Sequence, residues 1–295
     1  MTGRVCLGIG IATYNRRLVV AETIERVRHF TRHEPAHLVV ADDGSQDGTA
    51  EMLLRHGIPL VTGPNRGIAW NKNRALFLLA ESLCCDVVIL LEDDTRPVVP
   101  GWETEWIEAA RQWGHVNYAG PWLRSDFLSG SGSAIDPFLA PVLTAQCSAF
   151  ARAALAFAGY FDTRFRGYGH EHVEHSRRLV RAGYGGCERT DDDGEQVLFR
   201  LITGGVASVN VASHANQADI ERNLKIARRA MADRHYRAPW RTERQMIAFR
   251  TEQQEAMARL PQFFQLSAPT APGSRDRHEF VQRMSAYLNR NRLHA

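Results

Sequence analysis

The chain lacks the long apolar segments and the cysteine patterns that mark membrane-spanning and disulfide-stapled proteins. Of its 295 residues, 44% are hydrophobic and 23% are charged, an ordinary balance for a globular protein. Apolar runs such as residues 87–91 stop far short of the roughly 18 residues that a spanning helix needs. The five cysteines are odd in number and lack metal-finger spacing, which favours neither a disulfide framework nor a cysteine metal site.

The N-terminal residues do not predict a secretory leader. Residues 1–6 lead almost at once into a predicted strand, without the long apolar segment that such a leader carries. We therefore expect a protein that is made and kept in the cytoplasm.

Charge is distributed unevenly behind a net value of +3. From Glu221 to the end there are 15 Lys and Arg against 7 Asp and Glu, so the remainder of the chain is acidic. The acidic part is where a metal site is expected. The basic part is best explained as a solvated helical face, with peripheral contact to an anionic membrane surface as the alternative. Nucleic-acid binding is not expected, because aromatic residues do not interleave with the basic ones.

Strand-like and helix-like patterns alternate through the first hundred residues. The predicted strands are 5–13, 37–41, 59–62 and 86–91, and the predicted helices are 18–30, 46–56 and 70–82. This alternation predicts βαβ units and a mostly parallel sheet. Further on we predict a helix to Trp113, a charged turn at 189–194, strands at 196–202 and 206–212, and helices after residue 218. In parallel sheets, ligands bind at the carboxyl ends of the strands.

Two acidic clusters follow predicted strands. Asp42 and Asp43 open the segment 42–49, and a carboxylate there is able to accept the imide N–H of a uracil; an acidic turn that caps the next helix is the alternative. The other cluster is Glu92, Asp93 and Asp94. Carboxylates crowded at a strand end repel one another unless a divalent cation neutralises them, and Mg²⁺ or Mn²⁺ prefers such oxygen ligands.

Two further segments carry polar chemistry. Residues 65–74 offer amides and cations where a loop passes into a helix, which suits a diphosphate. Residues 159–174 combine glycines and aromatics with Glu171, His172 and Glu174 at a helix start, which suits a general base or a clamp on a substrate hydroxyl. Favourable acids against the helix dipole would explain the same pattern without chemistry.

In this order and spacing, these segments resemble the GT-A glycosyltransferases of family 2. The family pattern is T-x-N-R after a first strand, then DDGS-x-DGT, an N-x-G loop, D-x-D, and a later G-x-[FW]-D…G-[WY]-G-x-E-D. The matching segments here are residues 13–16, 42–49, 65–73, 92–94 and 159–172, and the resemblance covers residues 4–215.

The resemblance implies an α/β GT-A fold, with a Rossmann-like, mostly parallel sheet flanked by helices. It divides the chain into a nucleotide-sugar-binding subdomain at 1–100 and an acceptor and catalytic subdomain at 101–216. A basic helical C-terminal extension follows at 217–295.

The resemblance also implies roles for individual residues. Asp42 or Asp43 would hold the base, and Asp94 would bind Mn²⁺ or Mg²⁺. His214 is implied as a further metal ligand, because some relatives carry a histidine after the corresponding strand. The donor-binding set implied by the matching motifs is Thr13, Tyr14, Arg16, Asp42, Asp43, Lys72, Asn73, Glu92 and Asp93.

Two departures from the family pattern affect the chemistry. Glu92 replaces the first Asp of D-x-D, which keeps the oxygen ligand on a longer arm. Glu171 and His172 stand where the family has E-D, whose Asp is the usual base of inverting relatives. The base here is therefore Glu171, His172 or Glu174, or the enzyme follows a retaining path without one.

Together these features predict a metal-dependent glycosyltransferase, with inversion favoured over retention. The donor is a nucleoside-diphosphate sugar, with UDP favoured, and the acceptor is a hydroxyl of a glycan, a lipid-linked sugar or another molecule. Bacterial-type polysaccharide or glycoconjugate synthesis is the expected setting. One alternative is a sugar nucleotidylyltransferase, although residues 12–16 lack the Gly-rich basic loop of that class. The other is a catalytically inactive module that binds nucleotide sugar or glycan.

Overall fold

A computed structural model describes residues 4–191, 194–211, 216–230 and 236–260. Its first half alternates strands and helices as the sequence predicts. The elements are β1 Leu7–Thr13, α1 Arg17–Phe30, β2 Ala36–Asp42, α2 Thr49–Arg55, β3 Leu60–Thr62, α3 Ile68–Phe77 and β4 Val87–Glu92. A turn of π-helix, Leu78–Ser82, extends α3.

The second half is less regular. Its strands are β5 Thr95–Pro97, β6 His115–Tyr118, β7 Phe138–Ala140, β8 Cys147–Ala151, β9 Gly186–Asp191, β10 Gly194–Ile202 and β11 Val206–Ser208. Its α-helices are α4 Glu103–Trp113, α5 Arg152–Ala158, α6 Glu171–Arg181, α7 Gln217–Ala230 and α8 Glu243–Arg259, with a 3₁₀ turn at Pro121–Asp126.

The main sheet has the strand order β3-β2-β1-β4-β8-β6-β10-β7, and β9 pairs with β10. Strands β3, β2, β1 and β4 are parallel, whereas β8 runs antiparallel to both β4 and β6. Thr13 pairs with Asp42 and Ala12 with Glu92. This register brings three of the polar motifs to one edge. The mixed α/β fold with a largely parallel central sheet flanked by helices is therefore confirmed.

Helix α3 lies unusually close to β1. A Cβ added to Gly8 would stand 3.0 Å from side-chain atoms of Leu79, and one added to Gly10 would stand 3.0 Å from the Cβ of Ala75. The other face of β1 buries Ile9 and Ile11 against α1 and α2. The alternation of glycine and isoleucine thus lets α3 approach the sheet and carry its polar side chains to the strand ends.

Three local predictions need correction. The predicted charged turn at 189–194 is largely strand, because β9 and β10 form a hairpin in which Asp191 pairs with Gly194. Of the predicted strand 206–212, the structure describes residues 206–211, and among these only β11 is strand, paired with β5. Helix α2 begins at Thr49 rather than at residue 46, because Gly48 has φ +82°. The N-cap residue is Gly48, and the Asp47 carboxylate just before it accepts the Thr49 N–H at 3.1 Å.

The C-terminal helix α8 packs beside the donor half of the sheet. The ring of its buried Phe249 lies 5.3 Å from the Trp70 ring and 5.4 Å from the Phe77 ring. The predicted subdomain boundaries stay predictions. Among the described residues, no helix combines the length and apolar character that crossing a membrane requires.

Candidate active site

A cavity of about 420 Å³ opens at the carboxyl ends of β1, β2 and β4. This size is in the usual range for small-molecule sites. It is lined by Ala12, Thr13, Tyr14, Arg16, Asp43, Asn65, Gly67, Ile68, Asn71, Glu92, Asp93, Asp94, Gln146, Gly167, Tyr168, Val211 and Asp219. Six of the nine predicted donor-binding residues and the predicted metal ligand Asp94 are in this set.

Asp93 lies at the floor of the cavity and joins two of the motifs. It accepts hydrogen bonds from Thr13 Oγ1 at 2.7 Å and from Arg16 Nη1 at 2.9 Å. Burial raises the pKa of Asp93 to about 6, although Thr13 and Arg16 oppose that rise. The same Arg16 nitrogen donates to Asp94 Oδ2 at 3.1 Å. One guanidinium therefore holds both carboxylates.

Asp94 and Glu92 form an oxygen-rich patch that fits a hard divalent cation. Burial and the nearby charge of Glu92 raise the pKa of Asp94, so its negative charge is incompletely compensated. Gln146 lines the same cavity, and its buried Oε1 accepts no hydrogen bond from the described residues. Carboxylate and amide oxygens are the ligands that Mg²⁺ and Mn²⁺ prefer. His214, the other predicted ligand, lies outside the described residues.

The two adjacent aspartates after β2 have different surroundings. Asp42 is fully buried, and its carboxylate accepts from Ser45 N, Ser45 Oγ and Thr62 Oγ1. It closes the turn and does not line the cavity. Asp43 does line it, and accepts from Arg66 N at 3.0 Å, Gly67 N at 2.8 Å and Arg74 Nη1 at 2.9 Å.

Asp43 keeps capacity for a ligand. A carboxylate offers about four acceptor sites, and the three N–H groups described here fill three of them. Burial raises the pKa of Asp43 to about 6, even though the Arg66 and Gly67 N–H groups and the Arg74 charge stabilise its ionised form. Of the two aspartates, Asp43 is therefore the one that lines the cavity and keeps acceptor capacity.

The polar side chains of helix α3 differ in where they lie relative to the cavity. Asn71 lines the cavity and donates to the carbonyls of Thr13 and Ala41 at 3.2 and 2.9 Å. Asn73 is fully buried, and its amide both donates to and accepts from the backbone of Phe161 at 2.9 Å. It fixes the loop before α6 and does not line the cavity.

Lys72 is buried between the two halves of the site. Its Nζ lies 3.0 Å from Glu92 Oε1 and 3.2 Å from Glu171 Oε1. It is only 1% exposed and, like Asp42 and Asn73, does not line the cavity. The predicted donor-binding residue Lys72 is thus placed as a link between the end of β4 and the start of α6.

Glu171 and His172 begin α6. Burial opposes ionisation of Glu171, but the charge of Lys72 and the contact with His172 lower its pKa well below the usual range. His172 Nδ1 lies 3.4 Å from Glu171 Oε1 and its side chain is 20% exposed, against 2% for Glu171. Tyr168, which lines the cavity, is within electrostatic reach of Glu171, Glu92 and Asp94. Tyr168 therefore stands between the donor carboxylates and the start of α6.

Glu174, the third predicted base, is placed differently. Its carboxylate is buried and paired with Arg178 Nε at 3.0 Å, one turn further along α6. Arg178 also donates to the carbonyls of Ala158 and Tyr160. This pair ties α6 to the preceding loop, and Glu174 does not line the cavity.

Sequence reasoning assigned no role to several residues that the structure brings to the site. Asn71 stands inside the motif 65–74, so its amide type and position were a usable signal. Tyr168 likewise stands inside the segment 159–174, whereas Gln146 and Asp219 lie outside the motifs and carried no comparable signal. Whether Gln146 and Asp219 line the cavity depends on tertiary structure alone.

Residues 9–120 match the family model described as glycosyl transferase family 2. Over this segment the chain is similar to the family 2 glycosyltransferases. Its resemblance to the GT-A enzymes of that family is therefore confirmed, and the matched segment contains every strand end of the donor site. No curated protein sequence matches the chain.

Two solved structures share the fold of this glycosyltransferase. The mannosyltransferase PcManGT from Pyrobaculum calidifontis, in complex with GDP-Man and Mn²⁺, is 18% identical over 97% of this chain and 81% of that chain, with a TM-score of 0.51. GalNAc-T7 with UDP, GalNAc and Mn²⁺ is 14% identical over 77% of this chain, with a TM-score of 0.54. The match covers only 48% of the GalNAc-T7 chain. At these identities the likeness shows the fold.

Proposed function

We propose that this glycosyltransferase moves a sugar from a nucleoside-diphosphate donor, with UDP favoured, to an acceptor hydroxyl with the help of Mn²⁺ or Mg²⁺. The observation that carries the proposal is the convergence of three strand ends on one cavity. Asp43 lies on the side of β2, and Asp94 and Glu92 lie on the side of β4. The proposed base acceptor and the proposed cation ligands thus line one cavity, which supports binding of a nucleoside diphosphate.

The donor would lie across these strand ends. Asp43 accepts an N–H of the base, and Thr13, Tyr14, Arg16 and Asp93 border the nucleotide. Asp94, with Glu92 and the Gln146 amide nearby, would hold the cation. When bound, the cation neutralises the developing charge of the departing diphosphate. Both structural neighbours contain Mn²⁺, one with GDP-Man and the other with UDP.

His172 is assigned as the general base that takes the proton from the acceptor hydroxyl. Glu171 is a weak base because the Lys72 charge stabilises its ionised form, and Glu174 is engaged by Arg178. His172 is the most exposed of the three and lies beside the Glu171 carboxylate. Glu171 would orient this histidine and stabilise it when it takes up the proton, an arrangement that supports attack of the hydroxyl with inversion.

A screen of nucleotide sugars tests the proposal. We expect at least one to raise the thermal midpoint and to be hydrolysed slowly when Mn²⁺ is present, and both effects to vanish with a chelator. NMR assignment of the product anomer then decides between inversion and retention. If no nucleotide sugar produces a metal-dependent effect, the proposed function is wrong.

One observation favours a second candidate, a catalytically inactive module that binds nucleotide sugar. Lys72 already neutralises Glu171, and a histidine stands in the place of the family's usual base. Such a module would bind the donor with Mn²⁺ yet show no turnover with any acceptor. The match to a family of transferases argues for turnover, and the segment 12–16 argues against a nucleotidylyltransferase.

The acceptor class and cellular setting belong to the same proposal. We infer a glycan or lipid-linked acceptor at the cytoplasmic side of the membrane, in polysaccharide or glycoconjugate synthesis. The basic stretch from residue 221 supports peripheral contact with an anionic surface. Co-sedimentation with anionic but not with neutral vesicles would support this setting, and equal partition between them would contradict it.

A further inference from the structure

Glu252 lies on helix α8, outside the segment 9–120 that matches the family 2 model. Its carboxylate contacts helix α3. Its side chain is 9% exposed. Glu252 Oε2 accepts from Trp70 Nε1 and from Arg74 Nε, both at 2.9 Å. Glu252 Oε1 accepts from Arg74 Nη2 at 3.2 Å. The carboxylate therefore holds the Arg74 guanidinium by two of its nitrogens, the planar arrangement that fixes an arginine most firmly.

Arg74 connects Glu252 to Asp43. It is fully buried, and the nitrogen that does not face Glu252, Nη1, donates to Asp43 Oδ1 at 2.9 Å and to Asn71 Oδ1 at 3.2 Å. Asp43 and Asn71 both line the cavity. One guanidinium thus contacts Glu252 on one side and two cavity side chains on the other.

Residues around Glu252 leave room for its contact with Arg74 and hold helix α8 in place. A Cβ on Gly63 would stand 2.5 Å from Glu252 Oε1, so the carboxylate occupies space that only a glycine leaves free. Phe249, one turn before Glu252, is buried between Trp70 and Phe77. Gln253 Nε2 donates to the carbonyl of Arg74 at 3.2 Å. Helix α8 therefore has a defined position relative to α3.

We propose that Glu252 is a positioning residue for nucleobase recognition, acting through Arg74 on Asp43. This inference rests on the proposed function, since it requires Asp43 to accept an N–H of the donor's base. It gives the C-terminal region a role in the donor site. Glu252 itself does not line the cavity and need not touch the donor.

The acceptor count explains why a carboxylate is needed. Arg74 Nε, Arg74 Nη2 and Trp70 Nε1 present three N–H donors to two oxygens of Glu252. A glutamine has one acceptor oxygen, and its NH₂ group would face an N–H donor. Glu252→Gln therefore breaks the two-nitrogen hold on Arg74 while it preserves the size and shape of the side chain.

The test compares Glu252→Gln with Glu255→Gln, a control on the exposed side of the same helix, where Glu255 pairs only with Arg259 among the described residues. The probes are UDP, GDP and pyrophosphate, each titrated with Mn²⁺ by calorimetry. Pyrophosphate occupies the cation site without a base. We expect Glu252→Gln to weaken the better nucleotide about tenfold, the size that losing one charge-assisted hydrogen bond gives. Pyrophosphate affinity and the control should match the wild type.

The outcomes separate this inference from the proposed function. Wild-type protein that binds neither nucleotide would overturn the proposed function, and the inference with it. Wild-type binding with an unaffected Glu252→Gln variant would overturn the inference alone. An equal loss for pyrophosphate would also overturn it, because the effect would then be a general loss of structure.

A second variant keeps the inference testable if Glu252→Gln does not fold. Trp70→Phe removes one hydrogen bond to Glu252 and keeps an aromatic ring against Phe249. We expect a smaller, base-selective weakening of about threefold, as for loss of a single neutral donor. Nucleotide affinity equal to that of the wild type would contradict the proposed role.

Discussion

The pKa values of the carboxylates shift in opposite directions in the donor and acceptor halves of the site. In the donor half, burial raises the pKa of Asp43 and of Asp93 to about 6, and both line the cavity. In the acceptor half, Lys72 lowers the pKa of Glu171, and Arg178 holds Glu174. Both halves contain ion pairs, but burial outweighs pairing at Asp43 and Asp93, whereas pairing outweighs burial at Glu171. The donor half therefore gains more from an incoming cation or N–H group.

The largest expected effect tests the donor side of this comparison. Asp94→Ala removes the carboxylate assigned to the cation, and we expect kcat/KM to fall about 10³-fold, in line with several kcal/mol of lost transition-state stabilisation. Steady-state assays with Mn²⁺ measure it. Asp136→Ala, at an exposed position, is the control. Undiminished transfer by Asp94→Ala would remove the metal assignment.

The next effect tests the acceptor side. His172→Asn should lower kcat about 10²-fold, the size of general-base catalysis, while the KM for the donor stays unchanged. His172→Asp restores the acidic pair of the family pattern and should keep much of the activity. If His172→Asn is fully active, the base is elsewhere or the enzyme follows a retaining path.

A smaller effect concerns the pH dependence of nucleotide binding. Ionised Asp43 is the stronger acceptor for the base N–H. With its pKa at about 6, nucleotide affinity should therefore fall as the pH drops below that value, by at most about tenfold per pH unit. Titrations of UDP between pH 7 and pH 5 measure this, with pyrophosphate correcting for protonation of the phosphates. Asp43→Asn should bind weakly and lose this dependence. A wild-type profile parallel to that of the variant would contradict the role of Asp43.

The stability contribution of Asp43 has the opposite sign. Its folded pKa of about 6 lies above the ordinary value of 3.8. Asp43 thus favours the folded state most below pH 3.8, and this contribution is lost as the pH rises through about 6. Acidification therefore weakens nucleotide binding at Asp43 without weakening the fold at that residue.

The smallest expected effect concerns Gln146. Gln146 lines the cavity, its backbone pairs with Glu92, and its buried Oε1 accepts no hydrogen bond from any described residue. Gln146→Ala should therefore weaken Mn²⁺-dependent nucleotide binding by about threefold to tenfold, as for one lost polar contact. Gln112→Ala, on the exposed face of α4, is the control. Tighter nucleotide binding by Gln146→Ala would contradict this role, because it would show that the buried oxygen only destabilises the folded protein.

The sequence predicts the fold of the donor half well because its signals are local. Strand periodicity places 13–16, 42–49 and 92–94 at strand ends, and parallel pairing then brings them together. It does not separate Asp42 from Asp43, since their roles depend on which side chain turns toward Ser45 and Thr62. Likewise, the contacts of Lys72 with Glu171 and of Arg74 with Glu252 join residues 99 and 178 positions apart. No local pattern encodes such pairs, because they form only when α3 meets α6 and α8.

The most direct test of the central claim is a calorimetric titration of wild-type protein with UDP and GDP, in Mn²⁺ and then in a chelator. We predict that the better nucleotide binds at least about 100-fold more tightly with Mn²⁺, because the cation joins the carboxylates near Asp94 to the diphosphate. Equal affinity in both conditions, or no binding of either nucleotide, would contradict a metal-dependent nucleotide-sugar site in this cavity.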